Sequence, residues 1–152
     1  MYLRSLVLIA AGSVLIACSA STDPNKLQAT AAAPNTQPHL GMWFWIASSS
    51  NAKRTAVADP SRFSLEFFAD GTVKIVADCN RGQSSYQISA GKLSISAPGL
   101  TKMGCGSKSR DREFIAAITQ AQAIVTVGAQ LQIEFAADQK MLFARAAGAK
   151  LP

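Results

Sequence analysis

Residues 62–76 read Arg62-Phe63-Ser64-Leu65-Glu66-Phe67-Phe68-Ala69-Asp70-Gly71-Thr72-Val73-Lys74-Ile75-Val76. Two runs that alternate apolar and polar residues flank an Asp-Gly pair. Glycine enters the left-handed region without steric cost and Asp tolerates it, so this is the strongest short-range signal for a β-hairpin. A period of two also gives each strand one apolar face, which must be buried against another layer.

The same period continues in both directions. Met42-Trp43-Phe44-Trp45-Ile46 reads as a first strand, rich in the aromatics that suit a half-buried pleated surface. Gln83–Ile88 and Lys92–Ser96 form a second hairpin across Ala90-Gly91. Ile124–Val127, Leu131–Phe135 and Met141–Arg145 form a closing meander with turns at Gly128-Ala129 and Ala137-Asp138. One segment departs from this pattern. Between Ser109 and Ala121 the apolar residues Phe114, Ile115, Ile118 and Ala121 recur at helical spacing, with Ser109 placed to cap and Asp111 and Glu113 favourable in the first turn. The expected class is α+β: a strongly curved antiparallel sheet or partly open β-barrel of about seven or eight strands, with one α-helix closing a mouth or edge.

This domain, expected over residues 41–146 with a short tail at 147–152, follows a different kind of sequence. Residues 1–17, MYLRSLVLIAAGSVLIA, carry Arg4 as their only charge and then an apolar run, the form of a signal peptide. Leu15-Ile16-Ala17-Cys18 resembles the lipobox of bacterial lipoproteins, in which the thiol is acylated and the leader is cut just before it. That resemblance implies that Cys18 is the lipidated first residue of the mature protein and that the membrane is its first partner. The alternative is an uncleaved anchor, since residues 5–22 carry no charge, but Gly12, Ser13, Ser19 and Ser21 dilute that run. In the lipoprotein sorting pattern, Ser19 after the cysteine implies the outer membrane, facing the periplasm, with the inner membrane or surface display as alternatives. Residues 18–40, with Pro24, Pro34 and Pro38 among small polar residues, are read as a flexible tether, and His39 as a solvated residue at its end.

Composition narrows the function classes. The chain has 152 residues, 15 Lys plus Arg against 9 Asp plus Glu, three Cys and one His. Net charge +6 invites a polyanion, but the cations are scattered and only 16% of residues are charged, which argues against nucleic acid. Removing the leader with Arg4 takes the charge to +5. With Cys18 assigned to lipid, Cys79 and Cys105 form an even pair in an exported protein, hence a disulfide. Neither a metal site nor a cofactor is expected from one His and no remaining thiol. The acids Asp78, Asp111 and Glu113 stand singly, so no catalytic pair is expected. Lys102, Lys108, Arg110 and Arg112 are the one basic concentration, read as a solvated helix start or, if functional, as a contact for anionic lipid or lipopolysaccharide.

Around the bridge, Asp78-Cys79-Asn80-Arg81, Tyr86 and Leu100-Thr101-Lys102-Met103-Gly104-Cys105, followed by the helix with Phe114, resemble the META domain, also called the HslJ-like domain. That pattern opens on a Trp strand, here Trp43 and Trp45, then runs through an apolar strand with a D-G turn, C-N-x-x-x-G-x-Y, T-x-M-x-C, a helix and a closing hairpin, here Ala136–Arg145. Two positions depart from it: Ser84 or Ser85 stands at the usual Gly before the Tyr, and Asp78 at the usual Gly before Cys-Asn. The resemblance implies a small non-catalytic envelope protein of the stress-response or accessory type, monomeric, with an envelope protein, lipid or lipopolysaccharide as a further partner. Asn80, Tyr86 and Thr101 become a polar cluster that either binds a partner or satisfies backbone groups. Alternative roles are a periplasmic inhibitor of a lysozyme-like or other hydrolase and a pilotin-like chaperone for lipid or peptide.

Overall fold

The structure, a computed structural model, describes residues 37–145. The leader, Cys18, most of the tether, and the tail at 147–152 lie outside the described residues.

The Asp70-Gly71 hairpin forms as its sequence requires. Strand β3 (Phe63–Phe67) pairs with β4 (Thr72–Ala77), Gly71 takes φ +83°, and the Asp70 side chain accepts the Thr72 N–H at 2.8 Å. On one side of this pair lie β5 (Asn80–Ser89) and β6 (Lys92–Ile95), on the other β1 (Gly41–Ser50). Strands β8 (Ala123–Val127), β9 (Gln130–Ala136) and β10 (Gln139–Ala144) continue from β6, and β10 pairs with β1. Eight antiparallel strands thus run round a strongly curved, ring-like sheet. Its thin seam is β6 to β8, where Lys92 opposite Ala123 is the one laddered pair.

Two short strands are additional to the seven or eight expected. After Asn51 and Ala52, both at positive φ, β2 (Lys53–Ala56) pairs with the outer half of β1, and β7 (Gly99–Leu100) pairs with β5. All four β2 residues are exposed, so it has no apolar face and no alternation to read. β7 presses so close to β5 that a β-carbon on Gly82 would sit 1.9 Å from the Gly99 carbonyl oxygen. Only glycine fits there.

Helix α1 (Asp111–Thr119) is two residues shorter than expected at each end. The Ser109 hydroxyl still accepts the Asp111 N–H, at 3.1 Å. Phe114, Ala117 and Ile118 are its buried face, while Ile115 is only half-buried. Phe114 is fully buried between Trp45 (5.4 Å between centroids), Phe63 (5.5 Å) and Phe143 (6.3 Å), so the helix plugs the mouth at the Phe63 end of β3. Trp43, Leu65, Ile75, Leu131, Ile133 and Met141 fill the interior.

His39 corrects the sequence reading. Its ring packs edge-on to Phe67 and Tyr86, at 5.9 and 5.8 Å, and Nε2 lies 3.3 Å from the Tyr86 hydroxyl. The sequence places it in the tether because its partners are remote in the chain and a lone His in polar surroundings carries no periodic signal.

Candidate functional site

Two clusters stand at opposite ends of the ring. At one end, the turn Asp78-Cys79 joins β4 to β5, and Cys79 is bridged to Cys105 with the Cα atoms 5.4 Å apart. Asp78 holds φ +61°, a conformation Asp tolerates and glycine prefers, which explains how it stands where the META pattern carries Gly. Its buried carboxylate pairs with Arg62 and accepts the Ser109 hydroxyl, which in turn accepts the Asp111 N–H. This relay fastens the helix start to the β4–β5 turn.

Asn80 is 7% exposed and organises the loop that follows β7. Its Nδ2 donates to the Met103 carbonyl at 3.1 Å and to Cys105 Sγ at 3.2 Å, while Oδ1 accepts the Met103 N–H at 2.7 Å and the Thr101 hydroxyl at 3.1 Å. Thr101 Oγ1 also accepts the Arg81 N–H at 3.0 Å. Asn80 and Thr101 therefore satisfy backbone groups of an irregular segment that no ladder reaches. The loop borders a depression of about 710 Å³, lined by Lys102, Met103, Ser107 and Arg112 among others. A recess of about 340 Å³ adjoins it between β7 and α1, walled by Ala77, Leu100, Ile115 and Ala116.

Tyr86 is not part of this group. It lies six residues along β5, about 20 Å away at the usual rise per residue. Its ring packs edge-on to Phe67 at 4.9 Å and its hydroxyl donates to the Phe68 carbonyl at 2.7 Å. Burial, and then the Asp70 carboxylate, push the phenol above its ordinary value. Beside it the incoming chain is clamped. Arg145 donates to the carbonyls of Pro38 and Leu40, each at 3.0 Å, and its guanidinium stacks 4.2 Å from the Trp43 ring, whose Nε1 donates to the His39 carbonyl at 2.7 Å. Arg145 was missed from sequence because its partners are more than a hundred residues away. Arg110, at the other mouth, forks onto Glu113 at 2.6 and 2.8 Å and covers Trp45 at 4.3 Å; the i, i+3 spacing of Arg110 and Glu113 was the available signal.

Burial holds the His39 imidazole below its ordinary value of 6.5. As pH falls below that value the unfolded chain takes up the proton first, so stability is lost until the folded pKa is passed. The Tm is expected to fall more steeply between about pH 7 and about pH 5 in the parent protein than in His39→Gln. Equal slopes in thermal scans would contradict this.

Among the described residues no three or more His, Cys, Asp or Glu side chains converge as metal ligands. What the two ends do offer is surface: a basic depression with an apolar recess, and an aromatic clamp. The fold is a small disulfide-stapled antiparallel ring plugged by one helix. Residues 43–148 match the META domain, and the chain belongs to the META domain family.

Solved structures agree on the fold. An NMR structure of a protein from Burkholderia xenovorans aligns with a TM-score of 0.56 at 21% identity, covering 70% of this chain and 81% of that one. A crystal structure of a DUF4847 family protein from Bacteroides vulgatus gives 0.55 at 19% identity, covering 72% and 94%. Among curated proteins nothing matches the sequence.

Proposed function

We propose that the chain is an envelope lipoprotein, lipidated on Cys18 and held in the outer membrane facing the periplasm, whose META domain is a non-catalytic accessory or stress-response binding module. The observation that carries this reading is the sequence Leu15-Ile16-Ala17-Cys18 behind an apolar leader and ahead of a META domain. The Cys79–Cys105 bridge supports it, because an oxidising compartment is where such a staple persists. So does the family, which fits a domain that works by binding. Several acyl chains on one cysteine would hold the protein firmly, at about 0.8 kcal/mol per buried methylene.

Substituting Cys18→Ala is expected to move the protein from the membrane pellet to the soluble fraction in detergent-free fractionation. A variant that still pellets like the parent would sink the reading.

A further inference from the structure

Strand β4 measures the distance between the two ends. Thr72 begins it beside the Phe68 backbone, whose carbonyl accepts the Tyr86 hydroxyl next to His39, and Ala77 ends it at the disulfide turn, five residues and about 17 Å away. The chain therefore comes into the ring at the end opposite the basic depression.

We infer that this depression is a docking surface for an acidic protein segment that carries an apolar side chain among its carboxylates. The inference deepens the binding role proposed above and rests on it.

Charge comes first. Lys102 and Arg112 line the depression, Lys108 sits between two of its lining serines, and Arg81 flanks the Asn80–Thr101 contact. Among the described residues none of these four is in an ion pair, whereas Arg62 is occupied by Asp78 and Arg110 by Glu113. Asp111 is the one acidic residue lining the depression. Its surplus of positive charge fits carboxylates of a partner and would speed their encounter.

Charge alone would equally fit a phosphate headgroup. The second feature selects against that. The recess walled by Leu100 and Ile115 shares Asn80, Thr101, Asp111 and Arg112 with the basic depression, so an apolar slot and cations open side by side. Met103, 61% exposed, adds an adaptable apolar side chain beside them. A peptide presents a branched aliphatic group and carboxylates a few ångströms apart, a pairing that free phosphate and anionic polysaccharide lack and that fits a recess of about 340 Å³, too small for the paired acyl chains of a phospholipid.

The test uses the full mature chain in detergent and a fluorescein-labelled peptide, Glu-Leu-Glu-Glu-Leu-Glu, read by anisotropy. Saturable binding that weakens with added salt is expected, with Kd raised at least tenfold in Lys102→Glu/Arg112→Glu and unchanged in Lys53→Glu/Lys92→Glu. All four lysines and arginines are exposed, so the variants should fold, which circular dichroism checks. Absence of binding would overturn the inference. So would equal binding of hexaglutamate without leucine, or displacement of the peptide by polyphosphate or by phosphatidylglycerol mixed into the detergent micelles, either of which would assign the surface to anions in general. The lipid anchor is judged separately by the fractionation of Cys18→Ala, so failure of one leaves the other standing.

Discussion

Phe114→Ala is expected to lower the unfolding free energy by about 3–5 kcal/mol, the usual cost of removing a fully buried aromatic ring. Phe114 is completely buried and is the residue through which a nine-residue helix plugs the ring, touching Trp45, Phe63 and Phe143. The site cannot collapse easily, because its walls are strands tied into a closed circuit of hydrogen bonds. A loss of that size is a fifth or more of the roughly 5–15 kcal/mol stability of an ordinary domain. Urea unfolding followed by tryptophan fluorescence measures it directly, since Trp45 lies against the deleted ring. The neighbouring Ile115→Ala, at a half-buried position, should cost distinctly less. If the two variants were equally stable, the helix would not be the plug described above.

Breaking the Cys79–Cys105 bridge is expected to cost about 3–4 kcal/mol, from the chain entropy of a loop closed across 26 positions. Cys79→Ser, Cys105→Ser and the double variant should be about equally destabilised, because each removes the same constraint. Reduction of the parent protein should bring it to the same stability. The local network adds to the effect: with the bridge gone, Asn80 alone would hold Met103 against β5, while Thr101 would keep its bonds to the Arg81 backbone. Additive losses in denaturant titrations, or two free thiols in protein recovered from the periplasm, would contradict a structural bridge.

The parts of this fold that were legible in the sequence are those where one local rule decides. Asp70-Gly71 between two alternating runs leaves one sensible pairing, and the 3.6-residue spacing of Phe114 and Ile118 leaves one sensible helix. What escaped was decided by partners rather than by pattern. β2 is fully exposed and exists because the outer half of β1 offers it a ladder, and the polar Ala47–Ser50 stretch is extended because β2 and β10 pair with it on both sides. β7 is two residues long. His39 and Arg145 took their roles from contacts 47 and more than a hundred positions away, distances at which composition is silent.

The candidate site was half legible for the same reason. Asn80 and Thr101 belong together because the bridge draws the segment after β7 onto the start of β5, as the motif spacing implied. Tyr86 shares their motif but points its chemistry to the other end of the ring, six residues along an extended strand. A motif in a strand marks residues that a family needs, and extended backbone can deliver them to opposite poles. The basic depression depended on one more fact that only the fold supplies, namely which cations are already paired. Arg110 and Arg112 are two positions apart in sequence, yet one is committed to Glu113 and Trp45 while the other lines the depression.

The most direct measurement is the intact mass of the protein isolated from membranes of its own host, with mapping of its first peptide. A mature chain that begins at Cys18 and carries the mass of a diacylglycerol, with or without a further acyl group, is the predicted result. A chain that begins at Met1, or one cut elsewhere in the leader with no lipid on Cys18, would contradict the tethered lipoprotein on which the proposed function rests.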